Sequence, residues 1–265
     1  MFHAYILFTQ RGARAGFGHS PDFDWAYANT HTATDLVVIT PPVPAASAAL
    51  VAGEVERHLA GVSRASPGRA RNAMARTGLR TARSVLRALG LSCPAFPSYG
   101  SVSLSSRFDA EQAEGRIPPR SLVVESALAL AGRSLLHEEA IRALASGGFS
   151  SLDKADDLLA AICAEGLGLL VPAVSISPLG ARTCNRCGSS GPFAQTPCAH
   201  CGRRACSLCL QCRSMGPSRE CIPLYLVAGH DGASIRAGAV AEGADLVMPH
   251  PLTDAQRQAA DMLRD

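Results

Sequence analysis

Residues 184–212 read "CNRCGSSGPFAQTPCAHCGRRACSLCLQC" and hold seven of the chain's ten cysteines; an eighth, Cys221, follows nine positions later. Cys184-x2-Cys187 and Cys198-x2-Cys201 are two C-x2-C pairs separated by ten residues, each followed directly by a glycine, Gly188 and Gly202. A tight turn across such a pair aims both thiolates at one tetrahedral ion, and a glycine just beyond it eases the chain out of the turn. The run Cys206-x2-Cys209-x2-Cys212 and then Cys221 supply four more thiols. Almost no apolar side chain lies between the first two pairs, and a stretch this polar cannot bury enough surface to fold alone. Bound zinc would supply the missing free energy, about 10–16 kcal/mol apparent for finger-sized peptides.

The expectation is two zinc ions, with the first two pairs sharing one and Cys206, Cys209, Cys212 and Cys221 sharing the other. A nested pairing, or one site with spare thiols, remains open on spacing alone. The C-x2-C-x2-C run also resembles a cubane iron–sulfur ligand set, which is the rival reading of the metal. His200, inside the second pair, is expected to face solvent. With all eight thiols engaged, no open coordination position is left for catalysis.

Zinc also alters the charge. From 182 to 221 there are six arginines and one acid, Glu220. An ion held by four thiolates carries a formal charge of about −2, so two such sites cancel most of that basicity. They bring the module to about +1 and the chain from its formal +3 to about −1. Arg203, Arg204 and Arg213 are the phosphate-binding candidates within the module.

Working outward, the 265 residues are 47% hydrophobic and 18% charged, which argues against general disorder. Lys154 is the sole lysine, so the preference for arginine reads as a coding bias rather than a choice of guanidinium geometry. The N-terminal "MFHAYILFTQRG" lacks the long apolar region of a signal peptide, and no run is long enough to span a membrane. A cytoplasmic protein without membrane insertion is expected, held to the inner face of the membrane, if at all, through partners. In that reducing compartment clustered thiols are metal ligands rather than disulfides.

The fold class expected is α+β in several parts. Residues 1–61 form a small α/β domain, with strands at "AYILFT" and "DLVVIT" and a helix at "AASAALVAGEVERHLAGV" after Pro41-Pro42. Trp25 lies near Phe23 and Tyr27; the three could stack on a base or simply pack a core. Residues 62–118 are rich in arginine and proline and read as linker. Within them Arg76, Arg80, Arg83 and Arg87 would share one face of a helix, either tracking phosphates or merely solvated.

Residues 119–180 carry helical periodicity through Leu135, Leu136, Ile141 and Leu144, a stop at Gly147-Gly148, a second helix, and strand material at "GLGLLVPAVSI". That second helix turns Leu152, Leu158, Leu159, Ile162 and Cys163 inward. The order is that of a winged helix, but the second helix carries Asp153, Asp156, Asp157 and Glu165 against Lys154. Phosphates would repel it, so a packing unit is expected, not a groove reader. Residues 181–226 are the cysteine module, and 227–265 a linker and entry segment.

There is no G-x-x-x-x-G-K-[ST], no H-E-x-x-H and no nucleophile elbow in the chain.

"GRSLLHEEAIRAL" running into "CNRCG", "CAHCG", "CSLCLQC", "RSMG", "REC" and "CIPLY" resembles the N-terminal region of the ComFA family of competence DNA-uptake helicases. That resemblance implies a zinc element ahead of an ATP-dependent helicase motor, single-stranded DNA as ligand, and competence or DNA-uptake proteins as partners. "PLTDAQRQAADMLRD" then resembles the entry to such a motor, with Gln256 matching its nucleotide-contacting glutamine. ATPase activity would belong to that motor, not to these residues. The runner-up readings are a protein-interaction scaffold without DNA binding and an iron–sulfur redox protein.

Overall fold

The computed structural model describes residues 1–9, 12–29, 33–40, 42–62, 67–89, 100–103, 116–149, 151 and 154–227. The entry segment with Gln256, Cys93, Leu152, Asp153 and the side chain of Trp25 lie outside the described residues. Met1–Ile235 forms one compact unit of mixed helix and sheet, the α+β class that the sequence indicates.

The first apolar runs pair as expected. Strand β1 (His3–Thr9) lies between β2 (Gly12–Gly18) and β3 (Ala33–Thr40), and β4 (Gly100–Ser103) extends the antiparallel sheet in the order β2-β1-β3-β4. Alternation along β1 divides its side chains between the faces. Phe2, Ala4, Ile6 and Phe8 meet Val51, Val55 and Leu59 of α2 (Ala45–Val62) and Ala82 and Leu86 of α3 (Pro67–Ala88). Tyr5 and Leu7 turn the other way, toward Ala26 of α1 (Pro21–Asn29). The 62–118 stretch, expected as linker, thus contributes α3 and β4 to the first layer. Its small residues explain this: Gly78 lets α3 approach so closely that a Cβ there would collide with Ile6.

The next segment departs from its expected helix. Leu135 and Leu136 fit a helical period, yet the chain breaks at Gly132, where φ is +70°. Helix α4 (Arg120–Leu130) ends there, and Ser134–Leu136 becomes strand β5. Helix α5 (His137–Ser146) starts at once, its first turn closed by the Leu136 N–H donating to Glu139 Oε2 at 2.9 Å. Helix α6 (Ala155–Ala164) buries Leu158, Leu159 and Ile162 as expected, with Cys163 half-buried behind them.

Strand β6 (Gly168–Pro172) does not pair with β5. The strand between them is β11 (Pro223–Val227), giving the antiparallel order β5-β11-β6. Helix, strand, helix, helix, strand, wing, strand is the winged-helix order, and its wing is everything from 173 to 222. The cysteine module is an insertion in that wing, not a unit following it. "CIPLY", grouped by sequence with the cysteines, supplies the central strand of the sheet.

Candidate metal centre

The wing folds as two hairpins. Strand β7 (Val174–Ile176) pairs with β8 (Arg182–Cys184), and β9 (Phe193–Thr196) pairs with β10 (Cys206–Cys209). The cysteines themselves are its core. Cys184, Cys209 and Cys212 pack with Val174 and Phe193, while Cys198, Cys206 and Cys221 pack with Ile222.

Cys184, Cys187, Cys209 and Cys212 form one group and Cys198, Cys201, Cys206 and Cys221 a second, the sulfurs of each lying within 4.8 Å of one another. The expected sequential pairing is therefore corrected to an interleaved one. The reason lies in β10. Three residues of strand advance about 10 Å, so Cys206 and Cys209, at its two ends, cannot share an ion. Cys209 instead joins the turn to Cys212 in one site, and Cys206 joins the other. Leu208 bridges Arg219 in antiparallel register, which sets Cys221 opposite Cys206. That long-range pairing supplies the fourth thiol of the second group.

The pairs at 184–187 and 198–201 have the turn geometry their glycines suggested. The Gly188 N–H donates to the Cys184 carbonyl at 2.8 Å and the Gly202 N–H to the Cys198 carbonyl at 2.9 Å. Both glycines have positive φ, +73° and +68°.

Sulfur separations are 3.7 Å for Cys184–Cys212, Cys187–Cys209 and Cys198–Cys221, and 3.6 Å for Cys206–Cys221. A disulfide would need about 2.05 Å. Four thiolates about 2.3 Å from a central zinc ion stand about 3.8 Å apart. The donor set and its spacing therefore fit a tetrahedral ion. The division of Cys206-x2-Cys209-x2-Cys212 between two sites dismantles the cubane ligand set. Thiols on the separate irons of a cubane would also stand wider apart than these.

Crowding thiols in this way makes full ionisation costly without a cation. The hydrogen bond shared with Cys221 lowers Cys206 to about 6, while the same partnership, together with burial, drives Cys221 far up. Burial likewise pushes Cys212 up to about 12. A divalent ion in each tetrad removes this conflict by neutralising thiolates that could not otherwise coexist.

Beside the second tetrad lies Glu220, 1% exposed. It accepts from the Ser207 hydroxyl at 2.7 Å and pairs with Arg203, with Arg182 at 3.8 Å. Arg203, a candidate for phosphate, is thereby committed to an internal carboxylate. Arg186 is 3.1 Å from Glu139 of α5, and Arg219 donates to Thr196 Oγ1 at 2.9 Å. Arg204 and Arg213 stay exposed, as does His200. Glu220 is the residue sequence reasoning undervalued; being the only acid among six arginines was the available signal.

The other candidates separate clearly. Arg76, Arg80, Arg83 and Arg87 are all exposed on α3. Phe23 and Tyr27 are buried against Val123, Leu158 and Ile162, so they are core rather than a base-stacking patch. Two acids at α6 are occupied: Asp157 meets Arg116 at 2.7 Å, and Glu165, just past its end, accepts from Tyr27 Oη at 2.5 Å; Asp156 lies 3.2 Å from His137. Helix α1 packs over α6, covering the element that a groove-reading winged helix would present.

Comparison with known families matches residues 124–226 to the competence protein ComFA N-terminal domain. The match runs from α4 to β11, which is the winged helix together with the cysteine module in its wing. That segment is a ComFA-like N-terminal region. No curated protein and no solved structure matches the chain. No helix among the described residues is long and apolar enough to cross a membrane.

Proposed function

We propose that this chain is the non-catalytic, two-zinc N-terminal part of a competence-type DNA-uptake protein, binding single-stranded DNA or partner proteins beside a helicase-like motor. The observation that carries it is the pair of tetrahedral thiol groups built into the wing of a ComFA-like domain. Zinc is the natural occupant because closed four-cysteine sites with short C-x2-C turns suit a structural ion without redox chemistry. The chain's own part is to hold that platform rigid and to contribute binding surface. ATP-driven work would fall to a motor, with Gln256 at its entry.

Elemental analysis of protein purified from the cell tests this directly. About two zinc ions per chain are expected. Less than one transition metal per chain, or iron as the metal present, overturns the reading. Fluorescence anisotropy with labelled oligothymidylate at low salt tests the DNA-binding form.

The covered face of α6 and its occupied acids favour a second reading, a scaffold for proteins of an uptake complex. Wild-type protein that holds two zinc ions yet binds no oligonucleotide would select it.

A further inference from the structure

We infer that the outer face of α3 is the track on which this chain holds the phosphates of single-stranded DNA, and that the cysteine module is not. The inference rests on the single-strand reading above and adds the location.

Charge segregation carries it. From Arg57 to Phe108 the chain has nine arginines and no acid. With a formal net charge of +3 for the whole chain, the remainder nets −6. A coding bias explains arginine in place of lysine but cannot explain missing acids. Twenty-two acids in 265 residues would place about four in a stretch of that length.

The fold then sets four of these arginines on one face of α3. Gly78, Ala82 and Leu86 seat α3 on the sheet and fix its rotation. Between 75 and 89 the exposed positions are Arg76, Arg80, Arg83, Ser84, Arg87 and Ala88. The four guanidinium stems leave the helix at successive rises of about 6, 4.5 and 6 Å, a row about 16 Å long. The two remaining exposed residues are small and leave room for a strand to lie along the row. An extended polyanion meets four cations there without folding around anything. An anionic membrane is the weaker fit, because the apolar side of α3 is spent on the sheet and none is left to insert.

The metal module offers a much weaker field, about +1 in all when both tetrads are loaded. Its two tetrads would carry about −2 each when loaded. Arg203 is paired with Glu220, leaving Arg204 and Arg213 as isolated exposed cations.

Anisotropy of the metal-loaded full chain with labelled oligothymidylate, titrated across salt concentrations, decides the matter. R76Q/R80Q/R83Q/R87Q is expected to weaken binding about a hundredfold at low salt. It should also flatten the slope of log affinity against log salt by about 2 to 3, as four lost single-strand phosphate contacts require. The corresponding four-lysine variant should stay within a few fold of wild type, and R204Q/R213Q within twofold. If circular dichroism shows the four-glutamine variant misfolded, R80Q/R87Q is read instead, with about a tenfold loss expected.

Glutamine variants that bind like wild type overturn the inference, as does a lysine variant as weak as the glutamine one. A loss confined to R204Q/R213Q moves the site to the metal module and leaves single-strand binding standing. Wild type that binds no oligonucleotide removes both. Vesicles of mixed neutral and anionic phospholipid that strip the oligonucleotide from wild type but not from the four-glutamine variant would make the row a membrane contact and overturn the assignment.

Discussion

The two thiol tetrads have the same ligands but are held by different kinds of structure. The group of Cys184, Cys187, Cys209 and Cys212 consists of two C-x2-C turns facing one another, with Cys187 exposed at its edge. The group of Cys198, Cys201, Cys206 and Cys221 has one such turn and two cysteines held across a strand pairing. The first needs only local geometry to offer each half-site. The second exists only when the far end of the wing has returned. Cys221 is also two residues from β11, the strand on which both neighbours of the winged-helix sheet depend. Identical chemistry therefore has unequal structural reach.

The largest expected effect is that of Cys221→Ser. Metal content should fall from about two ions per chain to about one, and the loss should reach beyond the wing. A structural zinc site contributes about 10–16 kcal/mol apparent, against a typical domain stability of about 5–15. Amide exchange should show β11 and β6 unprotected, since the chain returning to the sheet is no longer anchored. Cys187→Ser should also cost about one ion but leave β11 protected. Its damage should show as faster proteolysis at the β7–β8 hairpin tip, where Leu179 is 96% exposed. Equal loss of β11 protection in the two variants would erase the proposed difference between the sites.

Glu220 sharpens the comparison within the second group. Its carboxylate lies among Arg203, Arg182 and Ser207, and its backbone carbonyl accepts the Ala46 N–H at the start of α2 at 2.8 Å. Glu220→Gln keeps the shape and removes the charge. A destabilisation of about 1.5–3 kcal/mol is expected, the range for hydrogen bonds to charged groups, with both metals retained. Denaturant unfolding monitored alongside metal content checks it. Loss of the second metal in this variant would mean that the carboxylate helps build the site rather than merely joining it to α2.

The same contrast shows what can be read from one dimension. Both local turns were legible, because C-x2-C followed by glycine encodes its geometry within five residues. The partition of the thiols was not, since it depends on Leu208 meeting Arg219 across the wing. Helix α2 was legible to its ends, marked by Pro41-Pro42 and a continuous apolar stripe. Leu135 and Leu136 were misleading because two adjacent leucines satisfy a helical period and a strand equally; Gly132 settles the matter through its backbone conformation. The central strand β11 was hidden by its short length and its position just after the last cysteine. The arginine face of α3 was visible as spacing, but its outward orientation required knowing what Gly78 approaches.

The smallest expected effect concerns the contact between the first layer and the winged helix. His137 stacks near Tyr225 and meets His19 edge-on at 5.7 Å, with the Met1 amine, Glu138, Asp156 and His200 contributing to its field. Burial, ahead of the other influences, holds its imidazole below the ordinary range despite the attraction of Asp156. The unfolded chain then binds more protons than the folded one once pH drops below about 6.5. Stability should accordingly fall as pH decreases from there toward the folded value. His137→Gln should make that fall shallower by at most about 1.4 kcal/mol per pH unit, the limit for one proton. Unfolding of both proteins at matched metal content, between neutral and mildly acidic pH, measures the difference. Parallel pH profiles would show that His137 does not contribute to the acid sensitivity.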